Sequence, residues 1–453
     1  MTTLTCFKAY DIRGRLGDTL DARIVEAVGR GFARARGAKR VVVGRDVRAS
    51  SEELCAALAR GLIAEGCEVM DLGLCGTEEV YFATDHLGVD GGLCVTASHN
   101  PIDYNGVKLV KTGARPLSPE ELDAVRVAAE GALDEPPAAD VVATPVDARP
   151  AYVERVVSFV DPAALRPLRV LVNAGNGAAG PTFDAIAEVL GRAGAPAEFV
   201  RMHHAPDPTF PNGIPNPLLP ENQPVTGDAV VREGCDLGLA WDGDFDRCFF
   251  FDHEGRFIPG EYMVGLLAAA FLADHPGAKI VHDPRVTWNT IDLVKELGGE
   301  PVQARTGHAF LKAAMREADA VYGGEMSAHH YFRDFMYCDS GMIPALLVIA
   351  HVSATGRSLA DLVASRRAAF PSSGEINFRV EDADAATARV LDRFAPEAAR
   401  RDDTDGVSLE FADWRFNLRR SNTEPLLRLN VETRGDAALL DRQVQTLTAL
   451  IEG

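Results

Sequence analysis

The stretch GLAWDGDFDRCFFFDHEGRF (238–257) carries Asp242, Asp244 and Asp246 at alternate positions, directly after an apolar run. Carboxylates that close repel one another unless a positive charge binds among them, and a hard divalent cation suits oxygen donors best. An acidic turn left in water fits the same three residues. A calcium EF-hand does not, because the loop position that wants Gly holds Arg247 and the one that wants Glu holds His253. Octahedral Mg²⁺ with open positions fits better, with Arg247 alongside to hold an anionic oxygen.

Four further stretches carry reactive groups. VTASHNP (95–101) offers one hydroxyl, Ser98, which reads equally as a nucleophile, a cap or a plain loop serine. The hydrolase elbow GxSxG is absent, since 96–100 read TASHN, and no Walker A loop is present. YGGEMSAHHYF (322–332) places Glu325, Ser327 and His329 at alternate positions, so an extended segment would point all three one way. Carboxylate and hydroxyl suit vicinal sugar hydroxyls, with the imidazole as a proton carrier; a half-exposed strand end reads the same. RRSNTEPLLRL (419–429) gathers Arg419, Ser421, Asn422 and Thr423, the donors a phosphate dianion needs, or else a turn closed by Pro425. VNAGNGAAGPTFDAI spells GxGxxG at Gly175, Gly177 and Gly180 between a strand and a helix, the context of a dinucleotide fingerprint and of an NAD-dependent oxidoreductase. Its acidic partner would be Glu198, which falls short of the strand end, and a structural glycine turn opened by Pro181 is the simpler reading.

These groups need a scaffold, and the chain is long enough for several cores. Its 453 residues predict three or four domains of roughly 100–150 residues each. KRVVVGRDVRASSEELCAALARGLIAEG reads as strand, turn and helix, with a Ser50–Glu53 capping box and an apolar stripe of Leu54, Leu58 and Leu62. The order returns at 168–194 and 278–299, a spacing that predicts three related α/β units with largely parallel strands. The last 80 or so residues alternate like antiparallel strands, with helices expected at 384–400 and 436–451, and read as a smaller α+β domain. Linkers are expected at 133–150 and at FPSSGE (370–375). MVGLLAAAFLA (263–273) is too short to span a bilayer and reads as a buried core helix.

Acidic residues outnumber basic ones by 66 to 46, a formal net charge of −20 that disfavours nucleic acid and anionic membrane as partners. A small anionic substrate remains compatible through a local basic pocket. The opening MTTLTCFKAYDIRG is polar and charged and reads as no export signal, and eight scattered cysteines without a CxxC pair suit buried thiols in a reducing cytoplasm.

Taken together, TASHNP, DGDFDR, GEMSAH and RRSNTEP, in that order and with AYDIRG (9–14) ahead of them, resemble the active-site loops of the α-D-phosphohexomutases, most closely the bacterial phosphomannomutases. The resemblance runs over 4–434. It implies three α/β mixed-sheet domains and a C-terminal α+β domain around a central cleft, at 1–145, 146–255, 256–369 and 370–453. It makes Ser98 the phosphoryl carrier, and Asp242, Asp244 and Asp246 the Mg²⁺ ligands together with a phosphoserine oxygen. Arg13, His99, Lys108 and Arg247 would act on the transferring group. Glu325 and Ser327 would hold the sugar 3- and 4-hydroxyls, with Tyr10, Arg285, His308 and His329 as further contacts and His308 or His329 as acid–base groups. Arg419, Ser421, Asn422 and Thr423 would hold the non-reacting phosphate. The implied reaction interconverts mannose 1-phosphate and mannose 6-phosphate through a hexose 1,6-bisphosphate, which also serves as activator; glucose phosphates are the alternative substrate. Ala328 departs from the family's GEMSGH by replacing its second glycine. Oligomeric state is not legible in these residues.

Overall fold

Val41, Val42 and Val43 are all fully buried, so strand Arg40–Arg45 has no solvent face and must lie inside a sheet. In the structure of the protein, a computed structural model that describes residues 3–420 and 426–453, it does. Arg40–Arg45 runs parallel to Glu68–Leu74 on one side and Gly91–Val95 on the other. Gly91–Val95 then pairs antiparallel with Tyr104–Lys111, and Ile12–Arg15 closes that edge, also antiparallel. The period-2 alternation of a strand sorts the side chains. Val41 and Val43 join helices Ala22–Arg36, Ser51–Ala64 and Pro119–Ala132 in one core, while Val42 packs with Val80 and Ala83 of helix Thr77–His86 in another.

The same plan recurs twice. Arg169–Asn173 lies between parallel neighbours Glu198–Met202 and Leu237–Trp241, and the latter turns back antiparallel as Cys248–Asp252. Lys279–His282 lies between parallel neighbours Glu300–Gln303 and Tyr322–Gly324, and the latter turns back as His330–Phe332. The expected α/β repeats are therefore mixed sheets of one topology. In each, the connection from the third strand to its antiparallel fourth carries a candidate loop: 96–103, 242–247 and 325–329. The C-terminal sheet is antiparallel throughout, ordered Ser372–Phe378, Leu427–Thr433, Trp414–Arg420, Val407–Glu410, Arg400–Asp402. Helices Ala383–Phe394 and Ala437–Glu452 share its core through Phe394, Leu447 and Ile451.

The chain divides into two compact units, Met1–Phe257 with Asp334–Ser358, and Ile258–Arg333 with Leu359–Gly453. Among the described residues no single helix is long and apolar enough to cross a membrane, and helix Gly260–Asp274 buries Met263, Leu267 and Leu272 instead.

Three local expectations are corrected. The Ser50–Glu53 capping box does not form: Ser50 has helical backbone angles and its Oγ accepts from Asn105 Nδ2 at 2.8 Å. FPSSGE is not irregular throughout, because strand Ser372–Phe378 begins inside it. The helix expected over 384–400 stops at Phe394, followed by a short 3₁₀ turn with Pro396 and a strand from Arg400.

Helices Ala22–Arg36 and Ser51–Ala64 cross closely enough that a Cβ on Gly61 would stand 2.0 Å from the Glu26 carbonyl oxygen. Gly61→Ala is expected to destabilise the chain by about 2 kcal/mol, read as a lower urea midpoint at unchanged slope. An unchanged midpoint would mean the helices part to admit the methyl group.

Candidate active site

The first unit brings together every candidate from TASHNP and DGDFDR. Ser98 is 5% exposed and has φ +48°, a left-handed conformation that costs a non-glycine residue roughly 1–2 kcal/mol. Its Oγ donates to Asp242 Oδ2 at 2.5 Å, accepts from Arg247 Nη2 at 2.9 Å, and lies 3.1 Å from His99 Nδ1. Arg247 also donates to His99 Nδ1 and to Asp242 Oδ2. A nitrogen that accepts from a guanidinium carries no proton, and burial together with Arg247 and Arg13 holds His99 well below the ordinary histidine pKa. Arg13, on strand Ile12–Arg15, donates to Asn100 Oδ1 at 3.0 Å and to Asp11 Oδ2 at 2.9 Å, with Tyr10 half-buried in the turn before it.

Asp242, Asp244 and Asp246 are buried and offer ligand atoms within 4.8 Å of one another. Asp244 Oδ2 is saturated by Thr77 Oγ1 at 2.6 Å, Thr96 Oγ1 at 3.1 Å and Lys108 Nζ at 2.7 Å. Lys108 also binds Asp246 Oδ2, and although burial alone would lower its pKa, Asp244 and Asp246 raise it, so the ammonium stays charged. In contrast Asp242 Oδ1 and Asp244 Oδ1 are buried without a hydrogen-bond partner. Burial pushes Asp242 up to about 6 even with Arg247 against it. Orphaned carboxylate oxygens beside a third carboxylate and a hydroxyl are the donor set of a hard divalent cation, so these residues fit Mg²⁺.

The GNGAAG turn serves this loop. A Cβ on Gly177 would meet Gly243 O at 2.9 Å, and Ala178 N donates to that same oxygen at 3.1 Å. The close approaches its glycines permit are to the chain itself, to backbone at Gly177 and Gly180 and to the Pro215 side chain at Gly175, which replaces the dinucleotide reading.

The second unit assembles the remaining candidates that lie among the described residues. Residues 325–329 form a turn and not the extended segment expected, with Glu325 N donating to His329 O at 2.9 Å and Ala328 at φ +70°. The turn itself makes the side chains converge: Glu325 Oε2 and Ser327 Oγ lie 3.2 and 3.4 Å from His329 Nδ1. Glu325 also accepts from Tyr331 OH at 2.6 Å and Gly307 N at 3.1 Å. Burial opposes its charge, but His329, Arg285 and Tyr331 together hold it well below the usual carboxylate range. His308 opens helix His308–Ala318 with its ring centroid 6.4 Å from that of His329. Arg285 reaches Ser327 Oγ at 3.2 Å and Glu325 Oε1 at 3.4 Å. Arg419 is buried and donates to Glu375 Oε2 at 2.7 Å. Ser421, Asn422 and Thr423 lie outside the described residues.

Several partners were not foreseen. Asp283 Oδ2 accepts from Arg285 Nη2 at 2.6 Å and from Met326 N at 2.9 Å, tying the arginine to the sugar-loop backbone. Glu375 gathers three guanidiniums: Arg419, Arg428 at 3.3 Å and Arg285 at 3.7 Å. Asp283, two residues before Arg285 in HDPR, was visible as a nearby carboxylate; Glu375 was hidden by the linker reading of FPSSGE. Thr77 and Thr96 carry no signal until the acidic loop is placed.

Sequence profiles for phosphoglucomutase/phosphomannomutase alpha/beta/alpha domains I, II and III match residues 5–133, 150–255 and 259–370, and the profile for the C-terminal domain matches 375–450. The chain is 57% identical over 456 residues to a phosphomannomutase of Salmonella typhimurium, covering 100% of both chains. It is 58% identical over 455 residues, again at 100% coverage of both, to the phosphohexose mutases of Xanthomonas campestris pv. campestris. A phosphoglucomutase/phosphomannomutase family protein of Burkholderia thailandensis superposes with a TM-score of 0.86 at 34% identity, over 100% of this chain and 99% of that one.

Glu261, in the first turn of helix Gly260–Asp274, is buried with Oε2 lacking a hydrogen bond. Burial, with Glu432 and Asp283 adding repulsion, pushes its pKa up from 4.5 to about 7 in spite of a hydrogen bond with Ser372. The folded chain thus holds this proton more tightly than the unfolded one, so the stability it contributes is full below pH 4.5 and lost as pH rises through about 7. Glu261→Gln is expected to exceed wild type at about pH 8 by on the order of 3 kcal/mol and to match it near pH 4.5, measured by urea melts across pH. Parallel pH profiles for the two proteins would place the ionisation elsewhere.

Proposed function

The chain belongs to the phosphoglucomutase/phosphomannomutase family, and from that premise we propose that it interconverts mannose 1-phosphate and mannose 6-phosphate by way of a phosphorylated Ser98. One observation carries the reading: Ser98 Oγ stands among Asp242, Arg247 and His99, beside carboxylate oxygens that have no partner.

Phospho-Ser98 donates its phosphoryl group to mannose 1-phosphate, giving mannose 1,6-bisphosphate. That intermediate reorients, its other phosphate returns to Ser98, and mannose 6-phosphate leaves. Hexose 1,6-bisphosphate from solution primes an unphosphorylated serine. Phosphoryl transfer passes through a loose transition state, so the protein's task is to position groups and stabilise charge. Arg247 holds Ser98 Oγ and faces the phosphoryl oxygens once they are attached, with neutral His99 at its side. Arg13, bound to Asn100 in the same loop, and Lys108 supply the remaining positive charge. Asp242, Asp244 and Asp246, with a phosphoserine oxygen, would hold Mg²⁺, which when bound neutralises part of the phosphoryl charge.

Glu325 and Ser327 take the 3- and 4-hydroxyls, which flank the axis about which the sugar turns, so one loop serves both orientations. Arg285, His308, His329 and Tyr10 are further contacts. Arg419, with Ser421, Asn422 and Thr423, holds the phosphate that is not reacting. Ordinary hexose phosphates in the cytoplasm are the partners, and the eight buried free thiols support that compartment.

A broader reading, a mutase that takes glucose as well as mannose, is favoured by the relative called phosphohexose mutases and by a loop that reads C3 and C4 when the two sugars differ at C2.

³¹P NMR with Mg²⁺ and catalytic glucose 1,6-bisphosphate tests the reading. Mannose 1-phosphate should convert faster than glucose 1-phosphate; equal or faster glucose conversion favours the broader reading, and no conversion of either sinks both. Ser98→Ala should lose phosphoprotein and nearly all turnover, and unchanged turnover would end its role as carrier. Asp244→Asn should weaken the Mg²⁺ dependence and lower kcat by about 100-fold or more, the scale of removing one preorganised charge. Wild-type Mg²⁺ behaviour in that variant would reduce the acidic cluster to a structural turn.

A further inference from the structure

Arg48 lies outside every loop discussed so far, on the turn after strand Arg40–Arg45. It is 2% exposed, and its guanidinium is aimed at a single target. Nη2 donates to Ser98 O at 3.0 Å and Asn100 O at 2.5 Å, while Nη1 donates to Pro101 O at 2.8 Å and Tyr104 O at 3.2 Å. Three of the four acceptors are main-chain carbonyls of the loop that carries Ser98, and the fourth belongs to the first residue of the strand that follows it. The nearest carboxylate to the guanidinium, Asp46, lies 3.6 Å from Nε, beyond hydrogen-bond range, and its Oδ1 accepts from the Arg48 main-chain N–H at 3.0 Å. Asp46 instead grips the same loop from the other polarity, its Oδ2 accepting from Ala97 N at 3.2 Å. The Phe210 ring lies 5.8 Å from the guanidinium carbon and covers it as a cation–π partner.

We propose that Arg48 is a positioning residue for phosphoryl transfer: its planar fork holds the carbonyls of Ser98, Asn100, Pro101 and Tyr104 and so fixes the backbone conformation that presents Ser98 Oγ. The inference rests on the reading of Ser98 as phosphoryl carrier. Two observations support it beyond the hydrogen bonds. Ser98 is held at φ +48°, and a strained backbone persists only where its surroundings over-determine it. Its carbonyl is also confined on another side, because a Cβ on Gly243 would stand 2.7 Å from Ser98 O. Between Gly243 and Arg48 that peptide has one place to be. A lysine carries the charge but not the fork, so it cannot serve four carbonyls in one plane.

The test compares Arg48→Gln and Arg48→Lys with wild type and Ser98→Ala. Three quantities are read: kcat and KM for mannose 1-phosphate, phosphoryl uptake from glucose 1,6-bisphosphate by intact-protein mass, and melting temperature. For Arg48→Gln, kcat and the uptake rate should fall about 100-fold, the scale of a misplacement near 1 Å, while KM stays within a few-fold. Arg48→Lys should recover part of kcat. Wild-type kcat and uptake in a folded Arg48→Gln protein, or a raised KM at unchanged kcat, would overturn the assignment. If Arg48→Gln does not fold, Arg48→Lys decides by the same split: lower kcat at constant KM supports it, and wild-type values overturn it. Phosphoryl uptake by Ser98→Ala at the wild-type rate would overturn both readings, whereas an inert Ser98→Ala beside a fully active Arg48→Gln fails the Arg48 assignment alone.

Discussion

Three buried carboxylates within 4.8 Å of one another set the terms for the first unit. Two such charges about 4 Å apart repel by about 4 kcal/mol at an effective dielectric near 20, and burial adds a desolvation penalty for each. The chain answers with donors drawn from separate elements. Lys108 comes from strand Tyr104–Lys111, Thr77 from the start of helix Thr77–His86, Thr96 from just beyond strand Gly91–Val95, and Arg247 from the acidic loop itself. Two of the unit's sheets are thereby joined through one polar cluster. Thr77 N donates to the Asp244 carbonyl, and the Phe245 ring lies where a Cβ on Gly76 would stand 2.3 Å away. The compensation stops short of Asp242 Oδ1 and Asp244 Oδ1, which is where a cation would complete the balance.

Topology explains why these groups recur at intervals along the chain. A parallel strand followed by an antiparallel partner needs a short reversal, and the reversal falls at the same place in each of three sheets. Each reversal also contains a non-glycine residue with positive φ: Ser98, Phe245 and Ala328. A tight turn at a strand end brings backbone and side chains together, held by a rigid sheet on both sides, and that is suitable ground for reactive groups. Ala328 shows the cost most directly, since a methyl group stands at φ +70°, a conformation that glycine adopts without strain.

Much of this was legible beforehand, for identifiable reasons. Period-2 and period-3.6 apolar patterns located the strands and the Leu54–Leu58–Leu62 helix face, and clustered Asp, Ser and Arg marked the loops before any fold was known. What escaped were interactions at long sequence separation. Arg48 reaches Ser98 across 50 residues and Thr77 reaches Asp244 across 167, and nothing local to Arg48 or Thr77 announces such a partner. Local pattern also misled where tertiary demand was stronger. Ser50 had the composition of a cap, but Asn105 claimed its hydroxyl; FPSSGE had the composition of a linker, but pairing with Leu427–Thr433 made it a strand with a bulge.

The two units balance buried charge with one chemical vocabulary. In the second, Arg285, Arg419 and Arg428 converge on Glu375, and Arg285 is also paired with Asp283 and Glu325, so the guanidiniums close to the sugar loop are matched by carboxylates. Those guanidinium donors act at short range. The formal −20 of the whole chain is screened beyond about 10 Å in 0.1 M salt, so a hexose phosphate that comes near responds to the guanidiniums and not to the distant surface. In the first unit, the acidic triad roughly matches Arg247 and Lys108, and Arg13 is paired with Asp11. A phosphoryl dianion attached there would meet little net attraction from the protein alone. On the reading proposed above, the half that only holds a phosphate manages with arginine, whereas the half that transfers one must recruit a divalent cation.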